Sequence, residues 1–295
     1  MPDKLLEDLP AVSTTDTPRV TVITPCYNRA QFLESTILSV LKQSYPFLQY
    51  IVIDGGSTDD SVKIIQKYAT NLAYWVSEPD DGQTHAINKG FRVAQGDILT
   101  WLNADDLLLP GAISAAVECF KGHPEVGVIY GDCQVVDEAG QLIFERKVCD
   151  YNWGVLLYAR SMINQPASFF RRSVLEEIGL LDERFSFCMD LEFWARAARQ
   201  GIVFKMLPVL LASFRLHASS KTAMLRQKMI SEHRRILEMY SPIPWRSLGS
   251  LARYLQSLLN VCYHVRSVMQ RVRQRRDFGV LRAFRARTGV HRIQG

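Results

Sequence analysis

Short apolar runs alternate with amphipathic stretches from residue 19 to about residue 130. Residues 19–24 (RVTVIT) and 50–54 (YIVID) are apolar and β-branched, the pattern of strands buried on both faces. Between them Phe32, Ile37, Val40 and Leu41 recur at helical spacing, and residues 61–68 give a second helical pattern. Residues 72–76 read as a short strand, 85–94 as a helix and 97–102 (DILTWL) as another strand. A helix follows Pro110, and residues 126–130 form a further strand. Strand–helix alternation at this spacing predicts an α/β fold with a mainly parallel sheet wrapped by helices. Glu138-Ala139-Gly140 reads as the turn of a hairpin.

The second half is less regular. Residues 164–170 (NQPASFF) read as a strand or an ordered loop, 190–200 as a helix stopped by Gly201, and 202–207 as a strand. From Lys221 the pattern is helical to Tyr240, where Ser241-Pro242-Ile243-Pro244 breaks it. Beyond, Leu248, Leu251, Leu255, Leu258, Cys262, Val265, Met269 and Val272 recur in steps of three and four, one apolar helix stripe. The division expected is a flexible leader over 1–18, with Pro2, Pro10 and Pro18, a main domain over 19–220, and a helical basic extension over 221–295. No internal repeat stands out.

Composition narrows the class. The 295 residues are 47% hydrophobic and 22% charged, with 17 Gly and 12 Pro, which excludes wholesale disorder and collagen. No apolar run approaches 18 residues, so a membrane-spanning helix is not expected. The opening MPDKLLEDLP places acids where a secretion signal has bases, and the expected location is cytoplasmic. Six scattered cysteines without a CxxC pair fit reduced, buried thiols.

Charge is uneven. Residues 241–295 hold eleven arginines, no lysine and one acid, Asp277, a net +10. The first 240 residues carry 24 basic and 29 acidic groups, a net −5. A basic tail on an acidic body points to an anionic partner.

Three polar clusters follow strands: Thr24-Pro25-Cys26-Tyr27-Asn28-Arg29, Asp54-Gly55-Gly56-Ser57-Thr58-Asp59, and Asn103-Ala104-Asp105-Asp106. Each alone fits turn and helix-cap chemistry. Together, at three strand ends where α/β sheets bind ligands, they point to a nucleotide site. The absence of GxGxxG and of a Walker loop argues against a dinucleotide or P-loop fold. Paired carboxylates at Asp105 and Asp106 suit Mg2+ or Mn2+ against a diphosphate. The His, Cys and Asp spacings give no zinc pattern.

The ordered segments ITPCYNR, IVIDGGSTD, GQTHAINKG, LNADD and CMDLEFWAR resemble the family 2 glycosyltransferases over roughly residues 19–220. The resemblance implies a GT-A (Rossmann-like) fold and an inverting transfer from a nucleotide-diphosphate sugar, most often UDP-linked, with a divalent metal. It implies that Pro25, Tyr27 and Asn28 form the first nucleotide-contacting loop and that Asp54 accepts a hydrogen bond from the base. Asn103 and Asp105 occupy the metal motif, usually Asp-x-Asp. Asp105 would hold the metal with Asp106 beside it, and Asn103 would reach the ribose. Gln83 and Asn88 would shape the donor pocket, with Lys89 either meeting a phosphate or lying solvated on its helix. Asp190 falls where the family has its acidic pair and would be the general base, with Met189 replacing the first acid. His217 matches a Tyr-Arg-x-His segment and either touches the metal or diphosphate or is a core histidine. Gln165-Pro166-Ala167-Ser168 and Trp194 read as acceptor-side, and Phe169 and Phe193 as core.

The resulting expectation is an inverting hexosyl transfer to a glycan or lipid-linked acceptor in surface polysaccharide assembly. The Arg-rich helix either lies on an anionic bilayer at the inner face of the plasma membrane or packs its stripe on protein. No nucleic-acid recognition module accompanies it. The competing functions are a sugar-nucleotide nucleotidyltransferase, against which the missing glycine-rich basic N-terminal signature argues, and a non-catalytic nucleotide-sugar binding protein.

Overall fold

The computed structural model describes residues 17–159, 163–217 and 226–242, together with Leu258, Val261, Val265 and Met269. The expected leader, apart from Thr17 and Pro18, lies outside the described residues, as do Cys262, most of the apolar stripe and the arginines of the tail.

The elements in chain order are β1 (Val20–Cys26), α1 (Ala30–Leu41), β2 (Leu48–Asp54), α2 (Ser61–Lys67), β3 (Tyr74–Ser77), α3 (Gln83–Val93) and β4 (Ile98–Trp101). Then come β5 (Leu107–Leu108), α4 (Ala112–Gly122), β6 (Val126–Val136), β7 (Leu142–Arg146), α5 (Trp153–Ala159), β8 (Ser168–Arg171), α6 (Arg172–Ile178), α7 (Met189–Arg199), β9 (Val203–Arg215) and α8 (Arg226–Tyr240). The described strands join in one sheet of order β3-β2-β1-β4-β8-β6-β9-β5, with β7 paired on β6. The four strands β3, β2, β1 and β4 run parallel, as the alternation of strands and helices predicted. From β4 onward antiparallel pairs enter at β4–β8, β8–β6, β6–β7 and β5–β9, so the α/β sheet is mixed. The turn expected at residues 138–140 does join β6 to β7, with Gly140 N–H bonded to Asp137 O at 3.0 Å.

Adjacent residues of each central strand face opposite sides, as pleating requires. Ile23, Ile51, Leu99, Val128 and Phe170 enter one core with residues of α3, α5, α6, α7 and α8. Val22, Val52, Ile98, Ile129 and Phe169 enter the other with residues of α1, α2 and α4. Helix α3 lies close on β1 because Gly90 has no side chain: a Cβ there would fall 2.4 Å from Ile23 Cγ2. Phe193 and Phe169 are core as expected, and so is Trp194, which corrects its acceptor-side reading: it is 1% exposed and stacks on Trp101.

Strand β9 runs well past residue 207, where the sequence pattern breaks at Pro208. The break is a bulge. Gly131 pairs with Leu207 and Asp132 with Leu210, so the register jumps across Pro208 and the ladder resumes to Arg215. Short β5 pairs with Ala212 and Ser213. These two features carry the chain after Arg215 back to the acids after β4.

Candidate active site

The loops after β1 and β2 are sewn together. Asn28 takes a left-handed backbone (φ 52°), which Asn tolerates better than most residues. Its N–H donates to Ser57 Oγ at 2.8 Å, and its Oδ1 accepts from Thr58 N–H at 2.8 Å. Asp59 and Ser61 take the first free N–H groups of α1, from Ala30 and Arg29. Pro25 is next to last in β1, paired with Ile53, and Tyr27 stands 58% exposed just beyond it. Asp54 is fully buried. Its carboxylate accepts from Gly56 N–H, Ser57 N–H, Ser57 Oγ and Ser77 Oγ. Three of these bonds fall on Oδ2 and one on Oδ1, so in this geometry Asp54 builds the loop.

The acids after β4 point different ways. Asp106 is fully buried and accepts from Arg215 N–H at 3.1 Å and Asn103 Nδ2 at 3.0 Å. Burial, with Asp105 second, pushes its carboxyl well above the usual carboxylate range. Asp105 faces outward, with His217 Nε2 2.9 Å from Oδ2 and Arg29 Nε 3.6 Å from the same oxygen. His217 also packs its ring on Phe32 of α1, with centroids 4.7 Å apart. Asp105 and His217 are thus brought together, and Asp106 is turned away from them. Among the described residues no three His, Cys, Asp or Glu groups stand together as a metal cluster. A carboxylate facing an imidazole nitrogen fits a divalent ion that takes its remaining ligands from phosphate oxygens and water.

Helix α3 links this cluster to α7. Gln83 Nε2 donates to Asn103 Oδ1 at 2.6 Å. The next residue, Thr84, donates to Phe185 O at 2.7 Å and to Met189 Sδ at 2.9 Å. Asp190 follows Met189 in the first turn of α7, half-buried, its Oδ1 accepting from Leu191 N–H. Burial foremost, then the charge of Glu232, raises the Asp190 carboxyl above its ordinary value, against the bond from Leu191. Glu192, the neighbouring acid, is 1% exposed and is held by Arg196 and Tyr240. Met189 is 7% exposed, so an acid in its place would face the core.

Two residues named from sequence stand apart from the cluster. Asn88 is 1% exposed and its amide brackets Leu181 and Glu183, bracing α3 against the segment before α7. Lys89 pairs with Glu78 at 2.8 Å. Gln165 donates to Trp101 O at the end of β4. The open groove formed by Pro124–Gly127 and Gly201–Val203 lies at the amino ends of β6 and β9, away from these groups.

Sequence reasoning gave no role to Arg29, Arg215 or Glu232. Arg29 reaches Asp105 because β1 and β4 are neighbours in the sheet, and Arg215 meets the acids from the end of β9, whose pairing with β5 has no local signature. Glu232 lies on α8, beyond the motif-bearing region.

The chain was compared with known proteins. A model of glycosyl transferase family 2 matches residues 21–179, more than half of the chain. An uncharacterised glycosyltransferase of Mycobacterium tuberculosis is 36% identical over 186 residues, 62% of this chain and 70% of that one. A PGL/p-HBAD biosynthesis glycosyltransferase of Mycobacterium bovis is 28% identical over 208 residues, 67% and 77% of the two chains. Among solved structures, the mannosyltransferase PcManGT of Pyrobaculum calidifontis, in complex with GDP-Man and Mn2+, aligns with a TM-score of 0.61 at 22% identity, over 98% of this chain and 86% of that one. S. aureus TarS 1–349 in complex with UDP-GlcNAc gives 0.61 at 17% identity, over 75% and 66%. The sheet and its flanking helices are those of the GT-A fold, and the chain belongs to glycosyl transferase family 2.

Proposed function

We propose that this glycosyltransferase moves a sugar, with inversion, from a nucleotide-diphosphate donor to a hydroxyl of a glycan or lipid-linked acceptor. The observation that carries the reading is the linkage through Gln83 and Thr84. It ties the loop that bears Asn103 and Asp105, through the start of α3, to the residue that precedes Asp190 in α7.

In this reading the donor lies across the ends of β1, β2 and β4. Tyr27 offers its exposed ring to the base. Asn103, oriented by Gln83 and Asp106, reaches the ribose. Asp105 and His217 hold Mg2+ or Mn2+, which when bound supplies countercharge to the diphosphate. Arg29, already beside Asp105, adds a permanent positive charge there. Asp190 takes the proton from the acceptor hydroxyl on the face opposite the leaving group, as inversion requires. Its raised carboxyl puts the acid limb of the pH–rate profile above the ~4 of an ordinary aspartate, because the base works only when ionised.

Donor class is supported by the complexes of TarS with UDP-GlcNAc and of PcManGT with GDP-Man. A UDP donor is our choice between them. A lipid-linked acceptor in surface glycan assembly is our choice, with the M. bovis PGL/p-HBAD biosynthesis glycosyltransferase among the relatives. It accords with an Arg-rich segment suited to the inner face of an anionic membrane. No described helix is long and apolar enough to cross one.

The test is nucleotide release from a panel of UDP-, GDP- and dTDP-sugars, with and without EDTA. Wild-type protein should turn over one donor class, and EDTA should suppress it. Asp105→Ala should lose at least ~10²-fold, the scale of one preorganised charge stabiliser. Full turnover in that variant would remove Asp105 from the donor site.

A further inference from the structure

Glu232 projects from α8, in the stretch that the sequence pattern set beyond the main domain, and it is 7% exposed. Its carboxylate accepts from Ser186 N–H at 3.1 Å, Ser186 Oγ at 3.0 Å, Phe187 N–H at 2.8 Å and Cys188 N–H at 2.9 Å. Three successive backbone N–H groups therefore converge on one acid. Such a concave row of amides, at the mouth of a helix, is an anion cradle. Cys188, the residue that opens α7, has no side-chain cap of its own. The cap comes from another helix, and Asp190 lies two residues further on. A second tie runs parallel: Tyr240, at the end of α8, donates to Glu192 Oε1 at 2.7 Å. On the far side His233 Nε2 lies 2.9 Å from Leu157 O and Tyr158 Oη 2.7 Å from Ser241 Oγ, which fasten α8 to α5.

We infer that Glu232 is a positioning residue for the transfer: it fixes the entry to α7 and so the aim of the Asp190 carboxylate, which makes helix α8 part of the catalytic apparatus. The inference rests on the reading of Asp190 as the base. An acid does this better than an amide or hydroxyl because only a carboxylate accepts from all these donors at once. Its charge also bears on Asp190, being the charged neighbour that raises that carboxyl. The other charged groups around the loop are engaged elsewhere. Glu192 is paired with Arg196, Arg184 with Asp182, and Glu183 accepts from Asn88. Lys228 and Arg235 of α8 lie over the rings of Phe187 and Phe185, and His85 of α3 lies beside Asp81.

The experiment compares full-length wild type, Glu232→Gln, Ser186→Ala and Asp190→Asn in nucleotide release, with donor binding measured alongside by titration. The probe is whichever sugar nucleotide of the UDP, GDP and dTDP panel the wild type turns over. Glu232→Gln should lower kcat ~10–100-fold, the effect of a small misplacement of a catalytic group, with donor KM and Kd within ~2-fold. The acid limb of its pH profile should move slightly to lower pH, because burial still raises the Asp190 carboxyl but the added charge of Glu232 is gone. A capping role confined to stability would lower the melting temperature and leave both readouts in place. Wild-type kcat and pH limb in Glu232→Gln, with Asp190→Asn inactive, overturn the inference and leave the base reading standing. Wild-type turnover in Asp190→Asn overturns both. Should Glu232→Gln not fold, Ser186→Ala decides: reduced kcat at unchanged KM supports the inference, and unchanged kcat overturns it.

Discussion

Asn103 stands where the Asp-x-Asp motif implied by the family resemblance would have its first acid, and its surroundings suit the amide. Its Oδ1 accepts from Gln83 and its Nδ2 donates to Asp106, two bonds of opposite sense that an ionised aspartate cannot make. Asp106 is already buried next to Asp105, and a third carboxylate would add like charge to a desolvated pair. Asn103→Asp should therefore cost roughly 1–3 kcal/mol, the scale of a bond lost with its partner left unpaired. Chemical denaturation at neutral pH should record that loss, and stability equal to wild type would mean the amide bonds are dispensable. Arg215 shows the limits of local reading at this scale. It lies two residues before His217, but its guanidinium bonds Asp105 O and Glu138 O, and its backbone N–H holds Asp106. Nothing in the segment Phe214-Arg215-Leu216-His217 announces those partners.

At the scale of elements, helix α3 joins Asn103, on the proposed donor side, to the residue before Asp190, the proposed base. Its position depends on Gly90 against Ile23 of β1. Gly90→Ala would force α3 away from the sheet, at about 1–3 kcal/mol for an overpacked contact. It should lower activity beyond what the loss of stability explains, because Gln83 and Thr84 move with the helix. Activity per folded molecule equal to wild type would show that the coupling through α3 is loose. Strand–helix alternation was legible through β4 because buried parallel strands are continuous apolar runs and their crossovers are helices. Legibility falls where the sheet turns mixed. Two-residue β5 is too short to show a period, and β9 is interrupted by Pro208, which reads as a stop and is a bulge. Of the candidate site, Asp105, His217 and Asp190 were named by motif, and the structure brings Asp105 and His217 together. The inward turn of Asp106 follows from Arg215 of β9, and the hold on Asp54 follows in part from Ser77 of the neighbouring β3, partners far away in the chain.

At the scale of the molecule, α8 packs Ile236, Leu237 and Tyr240 into the core that holds α7. The next described residues, Leu258, Val261, Val265 and Met269, are each about half exposed. With the eleven arginines of 241–295 they carry the membrane proposal. Full-length protein should bind anionic vesicles at low salt and release them as salt rises, since ~1 kcal/mol per surface-facing Arg is screened over a Debye length. A chain ending at Pro242 keeps α8 and should lose vesicle binding but retain donor turnover. Full-length protein that ignores such vesicles would defeat that proposal without touching the chemistry. The proposed chemistry rests on a base at the start of α7 and a donor held at the strand ends. The most direct measurement is transfer by Asp190→Asn alongside its donor affinity, because asparagine keeps the size but cannot take the proton. Transfer should fall ~10²–10⁴-fold, the contribution of a positioned base, while donor affinity stays within ~2-fold of wild type. Near-normal transfer by that variant, or donor binding lost together with transfer, would contradict the account.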